Sequence, residues 1–364
     1  MEIYFDNAAT TPPLESTPCG HLGNPSSPHA IGIATERKLS DAREDIAAML
    51  KCNGSEIVFT SGGTESNNLA LIGYALSNHR RHVTFMAQPW EHPSVLEPLH
   101  FIKTRGLGNV VIAPYETWHD CDAPFAMAVL SHVNHETGDI NDIHAMTAAL
   151  KTQNPNITVH VDGVQGFCKE PANLLNIDTY ALSAHKCHGP TGVGALMVRS
   201  PMRLTPLLYG GGQENKLRPG TENTGGILQM AEIAKQLYHH QEKNHRHVAA
   251  IKSELALLAN ELANVTINSK PGASPYILNM SFLGIKGEVL VHLLSQKGIF
   301  VSMGAACRSR KNTKTTLESM GLPPHVASAA IRFSFSHLNT LKEAAVAKKN
   351  IIQAVTQLRR VIAL

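Results

Sequence analysis

Short apolar segments alternate with helical stretches through most of this sequence, and that alternation limits the possible fold more than any other feature. Apolar runs of strand length lie at 56–60, 82–86, 110–112, 126–130, 157–161, 179–182 and 195–198. Helical stretches such as 142–153 separate most of them. Because parallel strands need crossover connections, this order predicts an α/β fold with a mostly parallel sheet covered by helices on both faces.

Polar side chains follow several of the predicted strands, at the edge where such sheets bind their ligands. These residues are His92, Asn134, Asp162, Gln165 and Lys186. We therefore expect them to converge on one site. A desolvated lysine at a strand end is suited to Schiff-base chemistry, although Lys186 taken alone is better interpreted as a lysine that reaches solvent.

A glycine-rich turn at 61–67 connects a predicted strand to a predicted helix. This arrangement aims backbone N–H groups and the helix dipole at an anion. No Gly-Lys-Ser/Thr follows, so the turn is not a P-loop. The turn is compatible with phosphate binding without identifying the ligand.

The C-terminal part has a different pattern and predicts a smaller α+β domain. A helical region at about 226–263 contains a polar stretch, 242–247, which we interpret as a break. Strands at 276–281 and 330–334, an amphipathic stretch at 287–297 and a terminal helix from Leu341 follow. The predicted large domain is 12–243, and the predicted small domain is 1–11 with 244–364.

Composition narrows the class of protein. A net charge of +3 over 364 residues gives no case for a nucleic-acid-binding or membrane-binding surface. No membrane span or signal peptide is apparent. Six scattered cysteines without CxxC spacing indicate free thiols and a cytoplasmic protein. The run His185-Lys-Cys-His188 is not expected to bind a metal, because neighbouring residues of an extended segment alternate in direction.

Ten short motifs occur in a fixed order along the chain. They are FDNAATT at 5–11, GNPSS at 23–27, TSGGTESN at 60–67, EHP at 91–93, NHETG at 134–138, DGVQ at 162–165, SAHK at 183–186, GGGQ at 210–213, RPGTEN at 218–223 and GAAC at 304–307. This series resembles the motifs of the NifS/IscS-type cysteine desulfurases of the class-V aminotransferase family. The resemblance covers essentially the whole chain.

The resemblance implies a homodimeric pyridoxal 5'-phosphate (PLP) enzyme of fold type I. Lys186 would hold the cofactor as a Schiff base and move the proton of the substrate's Cα. Asp162 would pair with the pyridine nitrogen, and Asn134 and Gln165 would contact the phenolic oxygen. His92 would stack on the ring and take a proton from the substrate thiol.

The same resemblance implies a phosphate site and a substrate site. Gly63, Thr64, Ser183 and His185 would bind the phosphate, with Thr221 supplied by the partner subunit. The residues expected to bind L-cysteine are Asn24, Asn134 and Arg332.

Cys307 is the residue implied to take sulfur from the substrate. It would carry the sulfur as a persulfide and pass it to a protein acceptor. Basic neighbours such as Arg308 and Arg310 favour its thiolate form. The acceptor could serve iron–sulfur assembly, tRNA thiolation or sulfur modification of DNA.

Two other interpretations stay open at this point. A related PLP enzyme of the same fold could be an aminotransferase, a selenocysteine lyase or a C–S lyase. A weakly active scaffold for sulfur trafficking is the second. Segments 12–23 and 114–126 are shorter than is usual in the resembled family, as if two surface helices were missing.

Overall fold

The computed structural model describes residues 2–17, 19–120, 125–303 and 314–362. The strands in these residues are β1 (Ile3–Tyr4), β2 (Ile57–Thr60), β3 (Thr84–Ala87), β4 (Asn109–Ile112), β5 (Met127–Ser131), β6 (Thr158–Asp162), β7 (Thr179–Ser183), β8 (Gly194–Val198), β9 (Val265–Ile267), β10 (Ile277–Phe282), β11 (Ile299–Phe300) and β12 (Ala330–Ser334).

The α-helices of the described residues are α1 (Ala30–Leu50), α2 (Gly63–Ser77), α3 (Pro93–Thr104), α4 (Ile143–Gln153), α5 (Thr224–His239), α6 (Gln241–Ala256), α7 (Leu258–Glu261), α8 (Gly287–Gln296), α9 (Thr316–Ser319), α10 (Pro324–Ala327) and α11 (Leu341–Ile362). Short 3-10 helices lie at Gly54–Glu56, His79–Arg81, Tyr115–Asp120, Ala184–Lys186 and Glu214–Lys216.

The chain divides into two compact units. Residues 12–132 and 141–239 form one, which we call the sheet unit. Residues 1–11, 133–140 and 240–364 form the other, which we call the terminal unit. The segment 133–140, which we had placed inside the large domain, therefore clusters with residues from both ends of the chain.

A seven-stranded sheet forms the centre of the sheet unit. Its strand order is β2-β8-β7-β6-β5-β3-β4. The pairs from β7 to β4 are parallel, whereas β8 runs antiparallel to both of its neighbours. The predicted mostly parallel α/β sheet is confirmed. The carboxyl ends of β2, β3, β5, β6 and β7 all lie at one edge.

Helices cover both faces of this sheet because its strands are apolar on both sides. On β5, Ala128 and Leu130 join the core cluster that contains residues of α1 and α5. Met127 and Val129 join the cluster that contains residues of α2 and α3. Each large side chain buried in this way contributes roughly 1.5–3 kcal/mol relative to exposure.

The terminal unit is an α+β structure with its own core. β10 pairs antiparallel with β9 and β12, and β1 pairs parallel with β11. Single bridges join Asp6 to Ser334 and Ser302 to Arg332, so the two small sheets are connected. Phe282, Phe333 and residues of α6, α8 and α11 fill the core beside them.

One prediction about local structure was wrong. The polar stretch 242–247 is not a break, because it lies inside α6 and the helices separate at His240. The stretch contains no Gly or Pro, and Glu242 pairs with Arg246 one turn later at 3.5 Å. Helix α3 was not predicted, since Pro98 interrupts its pattern.

The described chain also has helices missing from one segment and no helix suited to a membrane. Residues 12–17 and 19–29 contain no helix, consistent with the shortened segment noted in the sequence. Among the described residues, no helix combines the length and apolar character needed to cross a bilayer.

Candidate active site

The turn between β2 and α2 is closely packed at the carboxyl edge of the sheet. Gly62 has φ +151°, a backbone angle that favours glycine. A Cβ added to Gly63 would lie 2.4 Å from Cγ2 of Val164, so only glycine fits there. The first-turn N–H groups of α2 are therefore positioned by contact with the loop that follows β6.

Ser183, the last residue of β7, faces this turn. Its Oγ is buried and has no hydrogen-bond partner among the described residues. A Cβ placed on Gly62 would lie 3.6 Å from that oxygen. Thr64 is exposed in the first turn of α2. A hydroxyl beside the N-terminus of a 15-residue helix suits an anion such as phosphate.

Asp162 ends β6 and is buried at the same edge. Its Oδ2 accepts a hydrogen bond from Asn67 Nδ2 at 2.9 Å, and its Oδ1 accepts one from the Val164 N–H at 3.0 Å. Each carboxylate oxygen keeps a further lone pair. The carboxylate is thus fixed in place and can still accept a hydrogen bond from a cation.

His92 caps the N-terminus of α3. Its Nδ1 accepts a hydrogen bond from the Ser94 N–H at 3.1 Å, and Pro93 occupies the first helical position. The exposed ring borders an open groove of about 470 Å³ between the starts of α2 and α3, which Thr64 also lines. Two residues predicted to bind the cofactor therefore share this groove.

Lys186 ends the 3-10 turn Ala184–Lys186, which directly follows β7. Backbone hydrogen bonds from Cys187 and Gly189 to the Ala184 carbonyl, both 2.9 Å long, hold the turn. Burial, together with the charges of Lys186 and Lys169, lowers the pKa of His185 to about 4. His185 is therefore neutral at physiological pH.

Gln165 lies one turn beyond Asp162 and is also buried. Its Oε1 accepts a hydrogen bond from Lys169 Nζ at 3.1 Å. Cys187, which follows Lys186, contacts the Cys168 thiol, and His188 Nδ1 lies 2.7 Å from the Pro12 carbonyl. No group of three or more His, Cys, Asp or Glu in the described ranges is arranged to hold a metal ion.

Glu91, the residue before His92, is buried behind the site. Its Oε1 accepts hydrogen bonds from the N–H and the hydroxyl of Ser131 at 3.2 and 3.4 Å. Burial, and secondarily the charge of Asp162, raises the pKa of Glu91 to about 8. Glu91 is thus largely protonated at neutral pH. Of the two carboxyl groups, only Asp162 then carries a negative charge.

We expect Glu91→Gln to flatten the pH dependence of stability. The folded wild type keeps a proton on Glu91 from its ordinary pKa of 4.5 up to about 8, whereas the unfolded chain releases it. Stability is therefore lost as pH rises through that window, on the order of a few kcal/mol in total. Urea-unfolding midpoints at pH 5 and pH 8 measure the effect. The exposed Glu242→Gln is the control, and an unchanged slope in Glu91→Gln would contradict the assignment.

In the terminal unit, Asn134 and Arg332 are buried. Asn134 Oδ1 accepts hydrogen bonds from the N–H groups of Glu136 and Thr137 at 2.9 and 3.0 Å, while its Nδ2 has no partner among the described residues. Arg332 donates to the His135 carbonyl at 2.8 Å. The buried Nδ2 of Asn134 can therefore donate a hydrogen bond to a ligand.

The guanidinium of Arg332 also faces two carboxylates. Its Nη1 lies 3.4 Å from Glu136 Oε1, and its Nη2 lies 3.3 Å from Asp6 Oδ1. Its Nε has no hydrogen-bond partner among the residues described. The Arg332 side chain is only 7% exposed, so its charge is buried rather than solvated.

Three predicted site residues have no observed contact with the other site residues among those described, or lie outside the described residues. Asn24 is exposed before α1, where its Oδ1 accepts a hydrogen bond from the Ser26 N–H at 2.9 Å. Thr221 is exposed in the loop before α5. Cys307 lies outside the described residues. The roles of all three stay predictions.

Comparison with known proteins identifies the family. A family model described as aminotransferase class-V matches residues 3–346. The chain belongs to this family. A NifS/IcsS protein homolog from Lactobacillus delbrueckii subsp. bulgaricus is 36% identical to it, with 94% of each chain covered. Cysteine desulfurase IscS from Vibrio atlanticus is 35% identical over 99% of this chain and 94% of the relative.

Solved structures place the chain in the same group of class-V aminotransferases. A structure titled NIFS-like protein superposes with a TM-score of 0.91 at 32% identity, covering 98% of this chain and 100% of the other. The predicted NifS/IscS-type membership and the predicted fold type I are confirmed.

Two side chains that organise the site of this class-V aminotransferase were not predicted from the sequence. Asn67 connects Asp162 to Ser94, and Ser94 connects onward to His92. A sequence signal existed for Asn67 alone, since it lies one turn after Gly63 and faces inward at the start of α2. No sequence signal pointed to Ser94, because its contact with Asn67 depends on the packing of α2 against α3.

Proposed function

We propose that this class-V aminotransferase is a PLP-dependent cysteine desulfurase. It converts L-cysteine to L-alanine and holds the sulfur as a persulfide on Cys307. The observation that carries the proposal is the nearly full-length similarity to proteins named cysteine desulfurase. The proposal includes a homodimer in which Thr221 completes the partner's phosphate site, a protein sulfur acceptor, and a cytoplasmic location.

The residues of the sheet unit fit PLP. The Ser183 Oγ, for which the described residues supply no hydrogen-bond partner, faces the Gly62 turn and the start of α2, which suits a phosphate. The buried Asp162 carboxylate keeps lone pairs for a protonated ring nitrogen. Lys186 follows the strand beside Asp162 and would hold the cofactor covalently. Bound PLP supplies an electron sink for the carbanion at the substrate's Cα.

The protein's own groups account for the remaining steps. Asp162, held at the end of β6, would stabilise a proton on the ring nitrogen of the bound cofactor. The Lys186 amine would remove the substrate's Cα proton and return it. The neutral His185 and the Ser183 hydroxyl bind the phosphate as hydrogen-bonding partners without adding charge.

Arg332 is the proposed partner of the substrate carboxylate. Both of its contacts to carboxylates, 3.3 and 3.4 Å, are longer than a good charged hydrogen bond. Its Nε has no partner among the described residues. A buried guanidinium with donors to spare suits bidentate binding of a carboxylate.

Sulfur transfer is balanced between the substrate and one thiol. The Cys307 thiolate attacks the substrate sulfur, the C–S bond breaks, and the electron pair of that bond remains on the carbon. Protonation of that carbon yields L-alanine, and Cys307 carries the S–SH group. No external oxidant or reductant is required for this step.

We expect Cys307→Ser to bind the cofactor normally but to form alanine about 10³-fold more slowly, since its covalent nucleophile is missing. The measurements are alanine formed from L-cysteine, and alkylation with peptide mapping to locate the persulfide. Wild type should carry the extra sulfur at position 307.

Cys52→Ser is the matched control. Burial and the nearby Glu56 raise the pKa of Cys52 to about 11, so that thiol is not a thiolate at neutral pH. It should behave as wild type. Rapid alanine formation by Cys307→Ser would contradict the proposal and favour another PLP lyase, whereas absence of turnover in wild type would favour the scaffold.

A further inference from the structure

A chain of hydrogen-bonded side chains runs from Asp162 to His92 behind the candidate site. Asn67 Nδ2 lies 2.9 Å from Asp162 Oδ2 and 2.8 Å from Ser94 Oγ. Ser94 Oγ lies 2.8 Å from His92 Nδ1. Asn67, Ser94 and Asp162 are all buried. Asn67 and Ser94, which have no role predicted from the sequence, therefore connect His92 to Asp162.

The hydrogen bond from the backbone of Ser94 decides which nitrogen of His92 carries the proton. The Ser94 N–H lies 3.1 Å from His92 Nδ1 and can only donate. Nδ1 must therefore present its lone pair, and the proton of a neutral imidazole is on Nε2. The Ser94 hydroxyl then also donates to Nδ1, which leaves its oxygen to accept from Asn67.

The other end of the chain independently fixes the orientation of Asn67. The Asp162 carboxylate can only accept, so the NH₂ of Asn67 must face it. Asn67 Oδ1 then faces His160 Nε2 at 3.1 Å, and His160 Nδ1 lies 2.8 Å from Thr179 Oγ1. Burial lowers the pKa of His160 to about 4, so this ring is neutral and its one proton is on Nε2. Both N–H bonds of the Asn67 amide and the Ser94 hydroxyl therefore meet acceptors.

We propose that Asn67 and Ser94 are positioning residues that keep His92 in the Nε2–H form and prevent it from acting as a base. The only lone pair of the neutral ring is on Nδ1, which already accepts two hydrogen bonds from Ser94. His92 can instead donate a hydrogen bond from Nε2 to negative charge that develops on the substrate. Its contact with substrate rests on the proposed function; the position of its proton does not.

This inference differs from the expectation that His92 takes a proton from the substrate thiol. A proton added at Nδ1 would point at the Ser94 N–H and displace the cap of α3. The substrate thiol proton is therefore not transferred to His92, and it can stay on the transferred sulfur as the hydrogen of the S–SH group. His92 acts by donating a hydrogen bond to negative charge on the substrate rather than by accepting the substrate's proton.

The tautomer can be measured directly by NMR. Protein labelled with [¹⁵N]histidine and purified with its cofactor should show His92 with an unprotonated Nδ1 and a protonated Nε2, assigned by the signals missing in His92→Gln. In Ser94→Ala, loss of the hydroxyl should change the tautomer ratio about three- to tenfold. A protonated Nδ1 in wild type would overturn the proposal without any variant.

Ser281→Ala is a matched control for the serine deletion. Ser281 is also buried, accepts from Asn268 Nδ2 at 2.7 Å and donates to the Val326 carbonyl at 2.8 Å. It should leave the His92 signals unchanged, and Ser94→Thr should restore them. If Ser94→Ala and Ser281→Ala give the same His92 spectrum, the Ser94 hydroxyl and the Asn67 amide behind it do not position the ring.

Kinetics of His92 variants separate a donor from a base. Glutamine supplies an N–H donor but cannot act as a base, whereas alanine supplies neither. We expect kcat of His92→Gln within about tenfold of wild type and that of His92→Ala lower by about 10²-fold or more. Equal losses would overturn the donor role. Alanine formation by wild type tests the proposed function separately, so the two failures are distinguishable.

Discussion

Lys186→Ala is expected to abolish the visible absorption band of the bound cofactor and to reduce alanine formation by more than about 10³-fold, because it removes both the covalent attachment and the proton-transferring amine. The turn itself should survive, since it is held by backbone hydrogen bonds to the buried Ala184. Absorption spectra and alanine assays on the purified variant measure the two effects.

Lys151→Ala is the control for Lys186→Ala. Lys151 pairs with Asp178 at 2.9 Å, near the start of β7 at the opposite edge of the sheet. It should keep both colour and activity. Borohydride reduction followed by peptide mapping adds a direct test, because the label should appear on Lys186. A label on the neighbouring Lys169 instead would show that Lys186 is not the lysine that holds the cofactor.

Asp162→Asn is expected to lower kcat by about 10²–10³-fold, because the neutral amide cannot hold a proton on the ring nitrogen of the cofactor. The amide also brings an NH₂ group toward the donors Asn67 and Val164, which now bind the carboxylate. Cofactor absorption and the rate of alanine formation measure the effect.

Asp142→Asn is a suitable control for Asp162→Asn. Asp142 caps α4 by accepting a hydrogen bond from the Ala145 N–H, and asparagine caps a helix equally well. Both variants remove one carboxylate, but only Asp162→Asn touches the site. Wild-type activity in Asp162→Asn would show that the buried carboxylate does not act on the cofactor.

Apolar runs predicted most strands of the sheet unit to within two residues, because buried strands need continuous apolar sequence. The order of those strands could not be predicted. β2 lies beside β8 rather than β3, and no local pattern specifies which strands become neighbours. The break assigned to 242–247 was wrong for a related reason, since polar residues without Gly or Pro end a helix only when packing requires it.

The residues of the candidate site divide in the same way: some were predictable from local sequence, and others depend on tertiary packing. Asp162, Ser183 and Lys186 come at strand ends, so their convergence was predictable from sequence. The connection from Asn67 to Ser94 depends on the packing of α2 against α3, which sequence spacing does not specify. The contacts of Arg332 with Asp6 and Glu136 depend on three distant segments coming together.

The pairing of β1 with β11 has a consequence for how the chain folds during synthesis. Ile3 pairs with Ile299, and the backbone of Phe5 accepts a hydrogen bond from Ser334. During synthesis β1 therefore cannot pair with β11 until residues 299–300 have left the ribosome. The sheet unit has all its residues by position 239 and can collapse earlier. Such long-range closure is slow, so β1 is exposed to mispairing and to chaperones in the interval.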